Sequence, residues 1–538
     1  MPLQITWCFF RYASSYAREF SGFLSGHART LGTCVFMCLA VFTSVVRIGS
    51  LLFFPFSVIK LSSSTHTHTH VHTQQTHLLN MLSPTEPLGS GKAHTEVVTD
   101  EGEGYGAMSA AEEKSHHKNG DTPTTDSKFM QCINAIIPHG GSLSTTFNLG
   151  SATLGAGVIS LAIAFQMSGV IPSILILITV TVLTIYSVGL MMQAVEMTGY
   201  NSYADLSRNL FGPGWDYFTI SVSWLFTFGT CVSYVIATGY LVDSVLSGSS
   251  ALEFFQGKTG NRVITSIIWF VGMFSLSLPK EINSLRYASA IAVLFVFYFV
   301  ICIVVHSAKN GLKDGKLPED VEMFKSGNRA IEGLSIFMFS YLCHMNCFSI
   351  YSEMRKPSAR RMTLHTTYSM SMCCVVYIIA GFFGYTDVGN KSVETVFEIY
   401  DVKGDVMMAI AFAGMLLKIC VGFSLCMQPA RDCCYYIIGW DLNTLETWKN
   451  CLFCGCMALC ALLLGLFIPD LNTVFGLLGS FCGGVLGFCI PALYRMYCGN
   501  WGISQVGVVN YVCTYLLLIS GVIAVVFGTA ASIYNVAV

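Results

Sequence analysis

A lysine deep in a long apolar segment is the residue of this sequence whose type and position most clearly point to chemistry. Lys418 lies in the apolar run 406–429, about twelve residues from either end and so about 18 Å from both ends of a helix. Ala411, Gly414 and Gly422 share its helical face, a small-residue stripe typical of packing between membrane helices. A lysine so placed can act as a fixed counter-cation or as a proton carrier. A structural lysine paired with a carbonyl or a water is the alternative.

A histidine stands in a polar interruption of another apolar run. The stretch Phe339-Ser340-Tyr341-Leu342-Cys343-His344 crosses the middle of the segment 330–352. A single histidine in a helix is more often structural than functional. Here the Ser and Cys beside it make a role in lining the binding site at least as well supported as a structural role. Tyr234, after Gly229 and Ser233, is either a pocket aromatic or a core residue. Glu332 and Asp243 lie near the ends of their apolar runs. At such positions an acidic side chain can act as a gate or attract cations, or it can simply be solvated at the membrane interface.

Two glycines interrupt the longest uncharged stretch of the chain. No Asp, Glu, Lys or Arg lies between Lys128 and Glu196, so we predict two membrane spans joined by a tight turn at Gly169. Gly155 and Gly157 weaken the first span by roughly 1 kcal/mol each relative to Ala. A weakened backbone at mid-membrane is tolerated where it lines a cavity or a ligand. The pattern therefore favours the binding site of a carrier.

The composition requires that membrane helices position these residues. Apolar residues make up 53% and charged residues 11% of the chain, against about 25% charged in soluble domains. The net charge of −2 predicts no nucleic-acid partner. We predict an all-α polytopic membrane protein that crosses the lipid bilayer about eleven times. The predicted spans are 144–167, 171–195, 216–246, 262–278, 286–306, 330–352, 365–386, 406–429, 450–468, 472–496 and 507–533.

The charge distribution orients these spans. The basic cluster Arg355–Arg361 lies in a short loop and predicts that this loop is cytoplasmic. The N-terminal tail is then cytoplasmic too, and the sequon Asn390-Lys-Ser lies outside.

The N-terminal part of the chain differs from the rest. We divide the sequence into 1–80, a tail over 81–128 and a transmembrane domain over 129–538. The alternating His and Thr near residue 70 are typical of a translated CA repeat, which predicts that 1–80 is upstream sequence and that Met81 is the start. A metal-binding tract or an apolar leader is the alternative. The tail has the composition of a disordered segment.

No catalytic constellation is present in the sequence, so we expect no enzyme. There is no nucleophile elbow, no phosphate loop and no His-Glu-x-x-His zinc motif. Most of the 22 cysteines lie in apolar runs, where Cys behaves as a small hydrophobe. We therefore predict no metal site and no cofactor, and the sequence carries no motif for an obligate protein partner.

Several of these stretches resemble the amino acid/auxin permease family of amino acid transporters. The Cys-rich spans and the polar tail are similar to its kinetoplastid members. The matching motifs, in chain order, are Asn148-Leu-Gly-Ser-Ala-Thr-Leu-Gly-Ala-Gly157, Gly199-Tyr-Asn-Ser-Tyr-Ala-Asp-Leu206, Cys343-His344 with Tyr351-x-Glu353-Met-x-x-Pro-Ser-x-Arg-Arg-Met362, Gln428-Pro-Ala-Arg431, and Phe475-Gly-Leu-Leu-Gly-Ser480 with Pro491.

The resemblance implies a fold and a site. It implies a leucine-transporter-like fold with two inverted five-helix repeats plus one helix, in which the first and sixth helices are broken at mid-membrane. The substrate-binding residues that it implies are Thr153, Gly155, Ala156 and Gly157 for the amino acid backbone, carbonyls around Phe339, Ser340, Tyr341 and His344 for its ammonium, and Tyr234 as the lid. The implied ion-coupling group is Ser151, Ala152 and Lys418.

Two departures from the family pattern bear on coupling. Sodium-coupled relatives carry Asn where this chain has Ser151, and they have no lysine at the position of Lys418. We therefore predict proton-coupled symport or uniport across the plasma membrane rather than sodium coupling. Met345 replaces a frequent Pro, which leaves the position of the second break open. An organellar exporter or exchanger and a nutrient-sensing receptor remain alternatives, and a channel is disfavoured by the absence of a filter sequence.

Overall fold

The described part of the chain is entirely helical or irregular. The computed structural model describes residues 141–247, 257–279, 286–312, 317–442, 444–468 and 470–537. No strand occurs among these residues. The predicted boundaries at residues 80 and 128, and the His/Thr tract, lie outside them.

The helices follow one another with short connections. The first seven are α1 (Ser142–Thr153), α2 (Gly157–Ser168), α3 (Val170–Thr198), α4 (Tyr203–Phe211), α5 (Trp215–Ser247), α6 (Lys258–Ile268, continued by the π-helix Trp269–Phe274 and by Ser275–Ser277) and α7 (Arg286–Asn310). The next are α8 (Asn328–Tyr341), α9 (His344–Ser352), α10 (Ala359–Val388), the 3-10 turn Val396–Ile399, α11 (Val406–Ile438) and α12 (Thr447–Phe467). The last are α13 (Leu471–Leu477, continued by the π-helix Leu478–Cys489 and by Ile490–Tyr497), α14 (Ile503–Val506) and α15 (Val508–Ile523, continued by the π-helix Ala524–Gly528 and by Thr529–Ala537).

These helices form a multi-pass membrane protein. Within the described ranges, nine helical segments are long and apolar enough to cross a membrane, and α1 with α2 forms a tenth span that is bent by 60°. Ten of the predicted spans are therefore found as such. The predicted fourth span is helical as well, but its first turns carry Lys258, Asn261 and Arg262 and are less apolar.

Among the nine helical segments of the described residues that are long and apolar enough to cross a membrane, three are the most buried. The most apolar part of α5 is 83% buried inside the protein, and the corresponding parts of the α8–α9 and α13 spans are each 78% buried. The last span, α15, is only 33% buried and presents apolar side chains such as Val509 outward. Because lipid tails accept such side chains, a low buried fraction in an apolar helix indicates a position at the lipid-facing edge.

The turn between α2 and α3 is hydrogen-bonded to the segment that precedes α8, at the start of the sixth span. Gly169 adopts a positive φ of 82°, and a Cβ there would lie 2.8 Å from the backbone nitrogen of Lys325, so the tight turn predicted at this glycine is confirmed. The Lys325 N–H donates to the Ser168 carbonyl, and the Val170 N–H donates to the Glu322 carbonyl. The segment before α8 is thereby fixed to the end of α2.

Helices α2 and α8 pack closely against each other, and α10 packs on α2 from another side. A Cβ at Gly333 of α8 would lie 3.1 Å from the Ala164 carbonyl oxygen of α2, which shows how near the two backbones come. Close approach of this kind is what small residues permit between membrane helices. The second half of the first span therefore lies directly against the first half of the sixth.

Candidate functional site at two broken helices

The first break lies between α1 and α2. Leu154 has φ −69° and ψ 73°, and the N–H of Gly155 donates to the carbonyl of Thr153 at 2.7 Å. These angles and this hydrogen bond define an inverse γ-turn. In an uninterrupted helix the Gly155 N–H would donate a hydrogen bond to the Ser151 carbonyl. The turn therefore leaves that carbonyl without its helical donor.

The second break, between α8 and α9, is built in the same way. Leu342 has φ −77° and ψ 78°, and the Cys343 N–H donates to the Tyr341 carbonyl at 2.8 Å. Helix α9 begins at His344, so the helical donor of the Ser340 carbonyl is lost at the break. The polar interruption read from the sequence is therefore confirmed as a break, and it is centred on Leu342.

Side chains from two other spans supply donors to the freed carbonyls. The Lys418 ammonium on α11 lies 3.1 Å from the Ser151 carbonyl oxygen. The Tyr377 hydroxyl on α10 lies 2.7 Å from the Thr153 carbonyl oxygen and 2.9 Å from that of Ser340. Because a buried carbonyl without a donor costs about 1–3 kcal/mol, these contacts stabilise the broken conformation.

Lys418 is buried, with 3% of its surface exposed. Among the described residues it forms no ion pair with a carboxylate. Its charge at mid-membrane is therefore compensated by a backbone dipole, which is the arrangement of the structural alternative and also of a fixed counter-cation. The side chain of Ser151 lies on the other side, with its Oγ 2.9 Å from the Ser289 Oγ of α7.

Tyr234 reaches the first break from α5. Its hydroxyl interacts with the Ala156 backbone amide and would lie 3.2 Å from a Cβ at Gly155. A Cβ at Gly422 of α11 would lie 2.6 Å from the Tyr234 Cζ. Tyr234 therefore fills the space between the first break and α11, and the small residue at 422 makes room for it.

Gly157 begins the second half of the broken first helix and touches the sixth span directly. A Cβ at Gly157 would lie 3.0 Å from the Ser340 Cα and closer still to the Ser340 side chain. Helix α2 has no side-chain cap at this end. Its first N–H groups and the positive end of its dipole therefore face the break, an arrangement that favours an anion such as a carboxylate.

The sequence-predicted residues divide into two groups. The structure brings together the backbone of Thr153, Gly155, Ala156, Gly157 and Ser340 with the side chains of Tyr234 and Lys418. The Thr153 hydroxyl donates to the Leu149 carbonyl of its own helix at 2.8 Å, and the Thr153 carbonyl accepts from Tyr377 at the break. Ala152 is half-buried in the last turn of α1.

The side chains of Phe339, Tyr341 and His344 face neighbouring helices. The Phe339 ring stacks on Phe475 at 4.3 Å, and the Tyr341 hydroxyl accepts from Thr181 at 2.8 Å. His344 Nε2 lies 3.0 Å from the Ser187 Oγ of α3, and Ser187 donates to the Gly487 carbonyl. Their ring-stacking and hydrogen-bond contacts link α8 and α9 to α3 and α13.

The residues near the ends of the spans also differ. Glu332 is 5% exposed and packs near Gly476, whereas Asp243 is exposed. An exposed Asp243 agrees with interfacial solvation.

Tyr377 is the main residue of the site that the sequence reasoning missed. Its immediate neighbours in the predicted span, Val376 and Ile378, are apolar, and tyrosine is common in membrane proteins. Only the inverted pairing of the first and sixth spans, with a third helix laid across both, gives it a role. No local pattern signals that arrangement.

Three comparisons with known proteins bear on the family and the fold. The family model "Transmembrane amino acid transporter protein" matches residues 139–534. A sodium-coupled neutral amino acid symporter 2 from Danio rerio is 22% identical over 377 residues, which cover 65% of this chain and 74% of that protein. The crystal structure of MhsT in complex with L-phenylalanine matches with a TM-score of 0.50 and 14% identity, covering 72% of this chain and 98% of MhsT.

These matches confirm the two expectations that the sequence resemblance raised. The fold is leucine-transporter-like, as in MhsT, and the family match spans both helix breaks and the whole described bundle. The chain therefore belongs to the family of transmembrane amino acid transporters.

Proposed function

We propose that this protein carries amino acids across a membrane by alternating access and without sodium, either with a proton or as a uniporter. The observation that carries the proposal is the Lys418 ammonium, 3.1 Å from a carbonyl freed by the first break. Unwound carbonyls of this kind coordinate the coupling cation in carriers with broken helices. A permanently attached ammonium meets the same need for positive charge.

The substrate is placed at the two breaks. The uncapped N–H groups at Gly157 suit its carboxylate, and the Ser340 carbonyl suits its ammonium. Tyr234 stands between the first break and α11, where it can close the pocket over the substrate. The binding residues proposed from the sequence resemblance are kept. The backbone makes the contact at Thr153 as it does at Ser340, because both hydroxyls donate to carbonyls of their own helices.

Sodium coupling is the rival mechanism, and the Danio rerio relative is named for it. A sodium ion at the Ser151 carbonyl would lie beside the Lys418 ammonium, and two like charges at that separation in a membrane interior repel strongly. The side chain at 151 is a serine hydroxyl engaged with Ser289. Both features disfavour a cation at this point.

We place the protein in the plasma membrane with its N-terminal tail in the cytoplasm. The loop between α9 and α10 carries Arg355 and Lys356, and Arg360 and Arg361 follow in the first turn of α10. Positively charged connections of this kind remain cytoplasmic. The exposed Asn390 then lies outside.

The test is an uptake screen with the full chain in a transport-deficient cell. Each labelled amino acid is offered at pH about 5.5 and about 7.5, with sodium or with choline in its place. We expect uptake of one or a few amino acids, indifferent to sodium. Uptake that requires sodium would overturn the coupling proposal and keep the transport proposal. Absence of uptake by protein present at the cell surface would overturn both for this membrane, and the same screen on isolated organelles would then test an exporter or exchanger.

A further inference from the structure

One side chain touches both helix breaks. Tyr377 lies on α10 and is fully buried, and its hydroxyl oxygen is 2.7 Å from the Thr153 carbonyl and 2.9 Å from the Ser340 carbonyl. The first carbonyl belongs to the end of α1 and the second to the end of α8. A single atom therefore connects the two broken spans at the level of the proposed substrate site.

The hydroxyl has one proton for two acceptors. A phenol donates one hydrogen bond, so at any moment Tyr377 fully satisfies only one of these carbonyls. The Thr153 carbonyl has a second donor, the Gly155 N–H at 2.7 Å. The Ser340 carbonyl has lost its helical donor, and among the described residues Tyr377 is the donor recorded for it.

We infer that Tyr377 is a positioning residue that holds the two broken spans together while the carrier is empty. The inference rests on the proposed function and deepens it. In the loaded carrier the substrate ammonium donates to the Ser340 carbonyl, and the Tyr377 hydroxyl turns fully to the Thr153 carbonyl. Both acceptors are then satisfied. In the empty carrier the shared proton of Tyr377 takes the place of the substrate, so the two spans can return as one body.

A role confined to the empty carrier affects net uptake but not exchange, whereas a general structural role would affect both alike. Exchange of external for internal amino acid uses only the loaded carrier, whereas net uptake also requires the empty carrier to return. Removing the hydroxyl leaves the Ser340 carbonyl without a donor only when substrate is absent. The penalty therefore falls on the return of the empty carrier.

The experiment compares Tyr377→Phe with Tyr385→Phe in the full chain. Tyr385 lies on the same helix, is equally buried, and accepts one hydrogen bond from the Glu322 N–H at 3.1 Å, away from both breaks. For Tyr377→Phe we expect net uptake to fall about tenfold, while exchange of a labelled amino acid in preloaded vesicles stays within about twofold of wild type. Tyr385→Phe should leave the ratio of exchange to net uptake unchanged.

Equal losses of exchange and of net uptake, or no loss of either, would overturn the inference. A second measurement stands apart from transport. Hydrogen exchange of the purified, substrate-free proteins should be faster in Tyr377→Phe at peptides covering 148–160 and 336–347, and unchanged there in Tyr385→Phe. If wild-type protein transports no amino acid, the proposed function fails. Unchanged protection at both peptides would then overturn the role of Tyr377 by itself.

Discussion

The two helix breaks share one backbone turn and differ in what surrounds it. Both turns are inverse γ-turns centred on a leucine, Leu154 in the first span and Leu342 in the sixth. The first is followed by Gly155 and Gly157, and its span bends by 60°. The second is followed by Cys343 and His344 and lies within a span that bends less.

The difference shows that the turn itself does not require glycine. The glycines of the first break serve close approach instead, since Gly157 touches Ser340 and Gly155 lies under the Tyr234 hydroxyl. The donors differ too. The first break receives a charged donor from Lys418, whereas the second has the neutral hydroxyl of Tyr377, which it shares with the first. The first break is thus the one built around charge and close contact.

Substituting alanine at the third residue after each turn, Gly157 and Met345, should have the largest effect. Gly157→Ala puts a Cβ 3.0 Å from the Ser340 Cα, so the two spans must separate or the pocket must distort. We expect amino acid uptake to fall by more than about tenfold. Met345→Ala alters the corresponding position of the second break, where the side chain is half-buried, and should reduce uptake by less than about threefold.

Both variants are measured per molecule at the cell surface, by biotinylation, alongside uptake. Equal losses at the two positions would show that the two breaks are equivalent.

Removing the charge from the first break should have the next largest effect. Lys418→Met keeps most of the side-chain volume but leaves the Ser151 carbonyl without its donor, at a cost of about 1–3 kcal/mol. We expect uptake to fall about fivefold to tenfold and its dependence on external pH to flatten.

The matched control is Lys449→Met. That lysine pairs with Glu446 at 3.3 Å at the protein surface, where an ion pair contributes little, and uptake should be unchanged. Wild-type uptake and an unaltered pH profile in Lys418→Met would reduce Lys418 to a structural lysine.

A carboxyl group outside the membrane spans gives the protein a second, separable pH dependence. Burial, and then the neighbouring Asp470 carboxylate, raises the pKa of Glu394 from 4.5 to about 8. Its Oε2 accepts from Asn472 at 2.8 Å, and Glu398 also lies nearby. A raised folded-state pKa contributes stability that is complete below pH 4.5 and is lost as the pH rises through about 8.

Glu394→Gln mimics the protonated form, so it should retain this stability at high pH. We expect the melting temperature of wild-type protein in detergent to fall by a few degrees relative to the variant as the pH is raised through this window. Parallel melting curves for the two proteins would contradict the raised pKa. Glu394 lies in the connection before α11, whereas Lys418 lies within α11. The Glu394→Gln variant therefore also distinguishes titration of Glu394 from titration of Lys418.

The smallest effect concerns the side of the membrane on which the loop after α10 lies. Asn390 is exposed in that loop, at the sequon Asn390-Lys-Ser. If the loop is outside, Asn390→Gln removes a glycan and sharpens the gel band without changing uptake. A glycosidase-resistant wild-type band identical to that of the variant would count against this orientation of both broken spans.

The sequence was sufficient for the class, for ten of the eleven predicted spans and for the first break. Uncharged runs of about 20 residues have one physical interpretation, and Gly155 with Gly157 in such a run has few. Lys418 was found because a buried charge is conspicuous in an apolar segment. The family resemblance grouped Ser151 with Lys418, but it did not predict that the backbone carbonyl of Ser151 is the acceptor, because a backbone atom carries no signature in the sequence.

The rest required the three-dimensional arrangement. The sequence left His344 open between a structural and a lining role, because the direction of its side chain depends on the turn at Leu342, which places it against Ser187. Tyr377 gains its role only because two distant breaks meet beside it. Local propensity describes each helix separately, and the site is formed where helices far apart in sequence come together.

The π-helix in the tenth span affects how well the chain tolerates the loss or gain of a residue. Leu478–Cys489 forms 12 residues of π-helix, in which hydrogen bonds span five residues instead of four, so the segment holds surplus residues for its rise. Deleting one residue there lets the helix tighten while its two ends keep facing the same neighbours. The same deletion in α11 turns every later side chain by about 100°. We expect folded yield in detergent to survive the first deletion and to collapse after the second, which would make the π-helix a built-in tolerance for insertions and deletions.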